Sequence, residues 1–268
     1  VLTAGAQAQE TIKIGVLATL EGPFAAGGQD GMRGAELALK QRGGMVAGKK
    51  IELVKASSDA KPDVAVNSTR KLVEQDKVQI MVGPLSGSEG IAVKDYSKSQ
   101  PGVTFINGGS GAQATTLVNP SPNFFRFNTD GGQWMVGLGD YAYNTKNYKK
   151  MALIAEDYAF PYSQVQGFMA AYCKLGGKIT HKAWVPLGGK DYSSVIAKLP
   201  QDVDALLVVL GGADAVNFLS QYEQAGGDKP MVGGSITVDQ TVLNFKGKRR
   251  DSLVGTPAAG PMADSIAT

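Results

Sequence analysis

The sequence predicts an α/β protein made of two units, each built around a parallel sheet. Short, nearly continuous apolar runs alternate along the chain with stretches whose apolar residues recur every three to four positions. A segment that contains Pro120 and Pro122, residues 117–130, divides this alternation into two parts. The 268 residues also exceed what one compact core usually organises, which favours two domains.

Seven apolar runs are the predicted strands. Their near-continuous apolar character is typical of parallel strands that are buried on both faces. They cover residues 12–17, 51–54, 78–82 and 103–106 before the break, and residues 151–155, 179–185 and 203–210 after it.

Stretches with helical spacing follow most of these runs. The clearest stripes are Val165, Phe168, Met169 and Tyr172, then Ala215, Phe218, Leu219 and Tyr222; weaker ones are Met32, Ala35 and Leu39, then Ala65, Leu72 and Val73. The order βαβαβαβ, a break, then βαβαβα predicts parallel sheets with crossover helices. The break is the predicted crossing between the two lobes, with residues 11–118 in lobe 1 and 119–248 in lobe 2.

The first ten residues are interpreted as the remnant of a signal peptide. Ala6-Gln7-Ala8 fits the A-x-A pattern of a secretory cleavage site, and a frayed alanine-rich terminus is the alternative. No segment approaches the roughly 18 consecutive apolar residues that span a bilayer. The expectation is export to the periplasm without insertion into the membrane.

Composition argues against several other classes. The net charge of +3 comes without a long Lys/Arg block, so no nucleic-acid partner is predicted. Cys173 is the only cysteine, which excludes an intrachain disulfide and a Cys/His metal site of usable spacing. We expect Cys173 to be a small core residue on a helix, and we predict neither a metal nor a cofactor.

Two polar loops follow strands of the first part, at the end of the sheet where α/β proteins bind ligands. Ser86, Gly87 and Ser88 lead into a predicted helix, whose free N–H groups and hydroxyls suit a carboxylate. Asn107 and the 108–111 loop, with Gly109 and Ser110, repeat this character after the next strand. The alternative for Ser86 and Ser88 is plain helix capping.

Two loops of the second part complete the candidate site. Tyr158 and Phe160 place rings after a strand, where they suit the apolar body of a ligand. Packing of these rings against the following helix is the alternative. Ser235 and Thr237 offer hydroxyls beside the flexible Gly233 and Gly234.

The chain resembles the type I periplasmic solute-binding proteins of ABC importers, in the branch of the leucine/isoleucine/valine-binding proteins. The order and spacing of short pieces carry the resemblance: Ile12-Lys13-Ile14-Gly15 with Gly22-Pro23, Gly31 to Leu39 with Gly43-Gly44, Val82-Gly83-Pro84 before Ser86, Phe125-Arg126, Gly226 and Gly255. The resemblance implies two doubly wound, Rossmann-like lobes with a ligand cleft between them, closure by a hinge, and docking of the closed form on a permease driven by an ATPase. It also implies a monomer, with residues 249–268 returning to lobe 1 and a C-terminal part missing.

Roles carried over by resemblance refine the site. The loops at Ser86 to Ser88 and Gly109 to Ser110 look like carboxylate-holding elements, and Phe160 stands where the family often has a ligand-facing tyrosine. By the same resemblance, Gly211 leaves space where amino-acid binders carry bulkier side chains. Phe24 is a further predicted ligand-binding residue. Ser235 falls near the family's acidic partner for a ligand ammonium, so an aromatic or other non-amino carboxylic acid is favoured. The alternative is a branched-chain or other amino acid, or an amide.

Enzyme functions are weighed and set aside, and no catalytic residue is predicted. The 108–112 segment misses the G-x-S-x-G nucleophile pattern at its last position, and His181, the only histidine, falls in a predicted strand. Residues 137–142 match G-x-G-x-x-A, with Glu156 at the spacing of a ribose contact, which keeps an NAD(P)-dependent Rossmann enzyme as an alternative. No adequate strand precedes Gly137. A cytoplasmic ligand sensor of the same fold is a further alternative.

Overall fold

The computed structural model describes residues 10–244, 253 and 255–260. The predicted signal-peptide remnant, except Glu10, and most of the predicted return segment 249–268 lie outside the described residues. Within the described part, the chain forms two separate, mainly parallel sheets with helices on their faces. The predicted α/β class is confirmed.

The first sheet has the strand order β2-β3-β1-β4-β5-β6, and all its pairs are parallel except β2 with β3. Its strands are β1 (Thr11–Thr19), β2 (Met45–Val46), β3 (Lys49–Ser58), β4 (Ile80–Val82), β5 (Thr104–Asn107) and β6 (Phe124–Arg126). Its helices are α1 (Ala25–Gln41), α2 (Pro62–Arg70), α3 (Gly87–Ser97) and α4 (Ala114–Leu117), and a π-helical turn extends α2 to Gln75.

The second sheet has the order β10-β9-β7-β8 and is parallel throughout. Its strands are β7 (Lys150–Glu156), β8 (Lys178–Val185), β9 (Ala205–Val209) and β10 (Met231–Gly233). Its helices are α5 (Gly131–Asp140), α6 (Ala159–Tyr172), α7 (Ser193–Ile196), α8 (Gly212–Gln224) and α9 (Gln240–Leu243); a π-helical turn extends α5 to Thr145, and a 3-10 turn covers Ser235–Val238.

The core explains why the apolar runs are nearly continuous in lobe 2. Alternate residues of β7 face opposite sides of the sheet: Leu153 packs with Phe168 of α6, and Ile154 packs with Phe218 of α8. These side chains are fully buried, and each contributes about 2 kcal/mol of hydrophobic stabilisation. The predicted stripes of α6 and α8 are therefore the faces that cover the sheet.

The boundary between the lobes differs from the prediction. The short strand β6 pairs with β5, so the first sheet extends to Arg126 and the crossing occupies residues 127–130. Pro120 and Pro122 lie in the connection from α4 to β6. The prolines follow the end of helix α4, as expected for a break. Strand β6 of the first sheet then follows before the chain crosses to lobe 2.

Two smaller predictions are also corrected or clarified. Cys173 is exposed and not a core residue, because α6 ends at Tyr172 and the cysteine follows at its C-terminal end. Gly137 and Gly139 lie in the middle of helix α5 and not in a turn after a strand. The dinucleotide pattern therefore lacks the strand–turn–helix context that its chemistry requires.

Candidate functional site

A cavity of about 270 Å³ lies between the two lobes. This volume is just below the roughly 300–1,000 Å³ typical of drug-sized ligands, and suits a small molecule such as a single-ring acid. Residues of both lobes line it: Phe24, Gly27, Leu85, Ser86, Gly87, Gly109, Gly111, Trp134, Tyr158, Phe160, Gly212, Ser235, Ile236, Asp239 and Thr241.

The start of helix α3 forms part of the lobe 1 wall. Ser86 caps the helix: its Oγ accepts from the N–H of Glu89 (3.3 Å) and donates to the carbonyl of Ala60 (3.1 Å). The Glu89 carboxylate in turn accepts from the N–H of Ser86 (3.0 Å). Because the hydroxyl of Ser86 is used by this capping box, the anion-binding capacity at this end comes from the first-turn amides beside Gly87.

The carboxyl of Glu89 influences this end electrostatically. Glu89 is fully buried, and one of its carboxylate oxygens also accepts from the hydroxyl of Thr19 (3.2 Å). Burial raises the pKa of Glu89, although hydrogen bonds from Ser58, Ser86 and Thr19 oppose the rise. A higher pKa favours the neutral acid, which reduces repulsion of an anionic ligand nearby.

The loop after β5 is held in shape by Asn107. Its side-chain oxygen accepts from the N–H groups of Gly109 (3.1 Å) and Ser110 (2.8 Å), and its amide donates to the carbonyl of Ser110 (2.9 Å). This places Gly109 on the cavity wall, whereas Asn107 and Ser110 are fully buried and are not lining residues. The Ser110 hydroxyl packs towards Gly90, where an added Cβ would lie 2.0 Å from it.

Aromatic rings from both lobes frame the cavity. Phe24 of lobe 1 and Tyr158 of lobe 2 have centroids 6.0 Å apart, and Trp134 meets Phe160 edge-on at 5.6 Å. Burial, together with the nearby carboxyl of Glu156, raises the pKa of Tyr158 well above its usual value. Its phenol therefore stays protonated and polar at neutral pH, while the four rings give the cavity its apolar character.

The polar wall of lobe 2 comes from Ser235 and Asp239. Ser235 accepts from Nε2 of Gln164 (2.8 Å). Asp239 caps helix α9, accepting from the N–H of Val242 (3.0 Å). Burial raises its pKa, and hydrogen bonds from Gly212 and Thr241 oppose the rise. Asp239 is the one charged residue among the described lining residues, and its carboxylate already has several donors.

Direct hydrogen bonds join the lobes around the cavity. The N–H of Ala159 donates to Ser88 Oγ (3.1 Å), and the N–H of Gln113 donates to Ser163 Oγ (3.0 Å). The lobes therefore touch on the rim of the cavity. Ser88 serves this contact and is not a lining residue.

Glycines allow the lobes to approach this closely. An added Cβ at Gly87 would lie 2.8 Å from the backbone N of Phe160. At Gly212, whose φ is +51°, it would lie 2.2 Å from the carbonyl oxygen of Pro23. The backbone of α8 thus reaches lobe 1 only because this position has no side chain.

Gly211 does not leave open space, contrary to the expectation. An added Cβ there would lie 2.8 Å from Ile236 and 3.1 Å from the ring of Phe24, so these side chains already fill the volume. The N–H of Gly211 donates to the buried carboxyl of Glu156 (2.9 Å). Burial raises the pKa of Glu156 well above its usual value.

Of the twelve predicted binding residues, seven line the cavity: Phe24, Ser86, Gly87, Gly109, Tyr158, Phe160 and Ser235. The other five support the walls from behind or join the lobes. Among these, Thr237 is fully buried and donates to the carbonyl of Val208 (2.7 Å). Binding by each of the twelve residues stays a prediction.

Sequence reasoning missed Trp134 and Asp239, which also line the cavity. Trp134 lies on α5, only a few residues beyond the crossing, and not in a loop after a strand, where α/β proteins usually bind ligands. Asp239 has a recognisable signal, since an acidic residue before Gln240 to Leu243 is typical of a helix cap.

A second cavity, of about 240 Å³, lies within lobe 1 beside α1 and shares Gly27, Leu85 and Gly109 with the first. It receives no residue from lobe 2, so the cavity between the lobes is the candidate site. In the described part of the chain, no group of three or more His, Cys, Asp or Glu is placed to hold a metal ion. No helix described by the structure is both long and apolar enough to cross a membrane.

The arrangement does not suit nucleophilic catalysis. Ser110 is fully buried, and His181 lies on β8, the edge strand of the other sheet. A nucleophile and its base would need to lie within hydrogen-bonding distance of each other. The fold, with a cavity between two lobes in the part of the chain that the structure describes, instead matches the class of two-lobed binding proteins.

Comparisons with known proteins agree with this class. The family model described as periplasmic binding protein matches residues 11–268. A Leu/Ile/Val-binding protein homolog of Brucella melitensis is 30% identical over 227 residues, which are 83% of this chain and 61% of that protein. The chain belongs to the periplasmic binding protein family, and the resemblance noted from the sequence is confirmed.

Solved structures share the fold. An ABC transporter substrate-binding protein from Sphaerobacter thermophilus is 33% identical, with a TM-score of 0.76 over 90% of this chain and 67% of that one. A solute-binding protein of an ABC transporter from Rhodopseudomonas palustris, in complex with 3,4-dihydroxybenzoic acid, is 26% identical, with a TM-score of 0.81 over 89% and 66%. These relatives are named as binding proteins, which agrees with the prediction of a binding protein for this chain. The chain spans about three fifths of the Brucella relative's length (61%).

Proposed function

We propose that the protein is the periplasmic solute-binding subunit of an ABC importer, which captures a small carboxylic acid between its lobes and does not transform it. It acts as a monomer, needs no cofactor, and delivers its ligand to a permease driven by an ATPase. The observation that carries the proposal is the cavity between the lobes, with the start of helix α3 on one wall and rings from both lobes around it.

An aromatic acid is the favoured ligand. Phe24 and Phe160 offer flat apolar surfaces, while the first-turn amides beside Gly87 suit a carboxylate. Asp239, the acidic group of the wall, is already satisfied by donors from its own lobe, so it does not require an ammonium partner. The Rhodopseudomonas palustris structure, with its dihydroxybenzoic acid, is consistent with this preference.

A branched-chain or other apolar amino acid is the second candidate. The Brucella relative is named as a Leu/Ile/Val-binding protein homolog, and Asp239 brings a negative charge to the wall. An ammonium near Asp239 would gain from this charge, whereas an aromatic acid would not. Removal of the Asp239 charge would therefore weaken the binding of an amino acid but not that of an aromatic acid.

Ligand binding to the purified protein tests the proposal. The chain has two tryptophans, and Trp184→Phe leaves Trp134, on the cavity wall, as the fluorescent reporter. We expect 4-hydroxybenzoate to quench Trp134 with a Kd in the micromolar range, about −8 kcal/mol, and leucine to bind at least tenfold more weakly. Calorimetry on the unmodified protein controls for the substitution.

The result that contradicts the aromatic preference is tighter binding of leucine, lost in Asp239→Asn. Binding of neither class would refute carboxylate capture itself. Release of the protein by osmotic shock of the intact cells, together with a periplasmic marker, checks the proposed location.

A further inference from the structure

Gln164 is a fully buried polar side chain directly behind the cavity wall. It lies on α6, one helical turn after Phe160, and its Nε2 donates to Ser235 Oγ (2.8 Å). Its Oε1 has no hydrogen-bond partner among the described residues. A buried amide with a free oxygen destabilises a core relative to an apolar side chain, so core packing does not explain this residue.

The backbone around Gln164 makes room for it. An added Cβ at Gly234 would lie 2.6 Å from Oε1 of Gln164, and one at Gly131 would lie 2.8 Å from its Cγ. Gly234 follows β10, and Gly131 begins α5 directly after the crossing between the lobes. Glycines on two separate elements thus permit one glutamine to reach Ser235.

The contact determines what Ser235 offers to a ligand. A hydroxyl has one proton to donate and accepts through its lone pairs. Because Ser235 Oγ accepts from Gln164, its proton remains available to a group in the cavity. Ser235 is therefore set as a hydrogen-bond donor on the lobe 2 wall of the cavity, whereas the start of α3 belongs to the lobe 1 wall.

We propose that Gln164 is a positioning residue that determines specificity: by holding Ser235 as a donor, it selects acids that carry a hydrogen-bond-accepting oxygen at the end remote from the carboxylate. Hydroxylated aromatic acids are the ligand class that this arrangement fits. The inference rests on the proposed capture of carboxylic acids. It adds the recognition of the ligand's second polar group, the oxygen remote from its carboxylate.

The test compares 4-hydroxybenzoate with benzoate, which lacks only the remote oxygen. We expect the purified full chain to bind 4-hydroxybenzoate about tenfold more tightly, the worth of one hydrogen bond. Gln164→Leu reduces this ratio to within about twofold and leaves the affinity for benzoate nearly unchanged. Ser235→Ala gives the same loss, and the double variant loses no more than either single one, since both remove the same interaction.

Gln166→Leu is the matched control, because Gln166 lies on the exposed side of the same helix, and it keeps the full ratio. Equal weakening of both acids by Gln164→Leu would assign Gln164 a purely structural role and overturn the inference. An unchanged ratio of the affinities for 4-hydroxybenzoate and benzoate in Ser235→Ala would also overturn the inference. This second variant keeps the inference testable even if Gln164→Leu lowers the stability of the protein. Failure of the unmodified protein to bind either acid contradicts the aromatic preference of the proposed function instead, and failure to bind leucine as well refutes carboxylate capture.

Discussion

Buried carboxyls link the stability of this protein to pH. Asp214 is nearly fully buried at the start of α8, and its Oδ2 accepts from the N–H of Gly188 (2.6 Å). Burial raises its pKa from 3.8 to about 6, although the hydrogen bonds from Gly188 and Gly189 oppose the rise. The folded protein therefore holds this proton more tightly than the unfolded chain does. Stability from this group is present below pH 4 and is lost as the pH rises towards 6.

Replacing this carboxyl should remove its part of the pH dependence. Asp214→Asn keeps an oxygen that accepts from Gly188 but does not ionise. We expect the fall in the free energy of unfolding between pH 4 and pH 7 to shrink by at most about 3 kcal/mol, the equivalent of two pKa units. Urea denaturation at the two pH values measures it, with the exposed Asp140→Asn as control. The same fall in Asp214→Asn as in the unmodified protein would show that Asp214 does not titrate in this way.

The packing of α5 against α6 shows what the glycines of the G-x-G-x-x-A pattern do in this protein. An added Cβ at Gly139 would lie 2.3 Å from the carbonyl oxygen of Phe168, whereas one at Gly137 would meet nothing within 4 Å. Gly139 therefore lies at the contact between the two helices, and Gly137 faces open space. Close helix packing, and not phosphate binding, explains Gly139.

The two glycines form a matched pair in one helix. Gly137→Ala should raise the free energy of unfolding by about 0.5–1 kcal/mol, because alanine loses less backbone entropy in a helix. Gly139→Ala should lower it by roughly 1–3 kcal/mol, because α6 must move away. Urea denaturation at neutral pH measures both. Equal effects of the two substitutions would mean that helix propensity alone decides, and that the close contact is unimportant.

Elements differed in how far the sequence could predict them. Strands β7 and β9 are recognisable because burial on both faces requires continuous apolar runs. The three-residue strand β6 carries too little pattern to be recognised, so the sequence predicts that lobe 1 ends before this strand. Two of the predicted loops after strands contribute Ser86, Gly87 and Gly109 to the cavity wall, but whether Ser110 or Gly109 faces the cavity depends on the hydrogen bonds of Asn107. Such bonds depend on three-dimensional placement, which spacing along the chain does not determine.

The two lobes meet through backbone contacts that only small residues permit. Gly87 of lobe 1 lies against Phe160 of lobe 2, beside the hydrogen bond from Ala159 to Ser88. These contacts require the lobes to be close together. If the protein works by closing around its ligand, any side chain at position 87 must hinder closure and shift the balance towards an open form. A ligand can stabilise the closed form only through the contacts that it makes with both lobes.

Gly87→Val should therefore act as a wedge between the lobes. A valine cannot fit where a Cβ alone would lie 2.9 Å from the Cβ of Phe160, so the closed form becomes rare. If its population falls to about a tenth, the apparent Kd rises about tenfold. Small-angle X-ray scattering with saturating ligand should then show a larger radius of gyration than for the unmodified protein. Gly102→Val, at a position with nothing within 4 Å, should bind and scatter normally. Normal affinity and compactness in Gly87→Val would mean that the contact at Gly87 is not needed for binding.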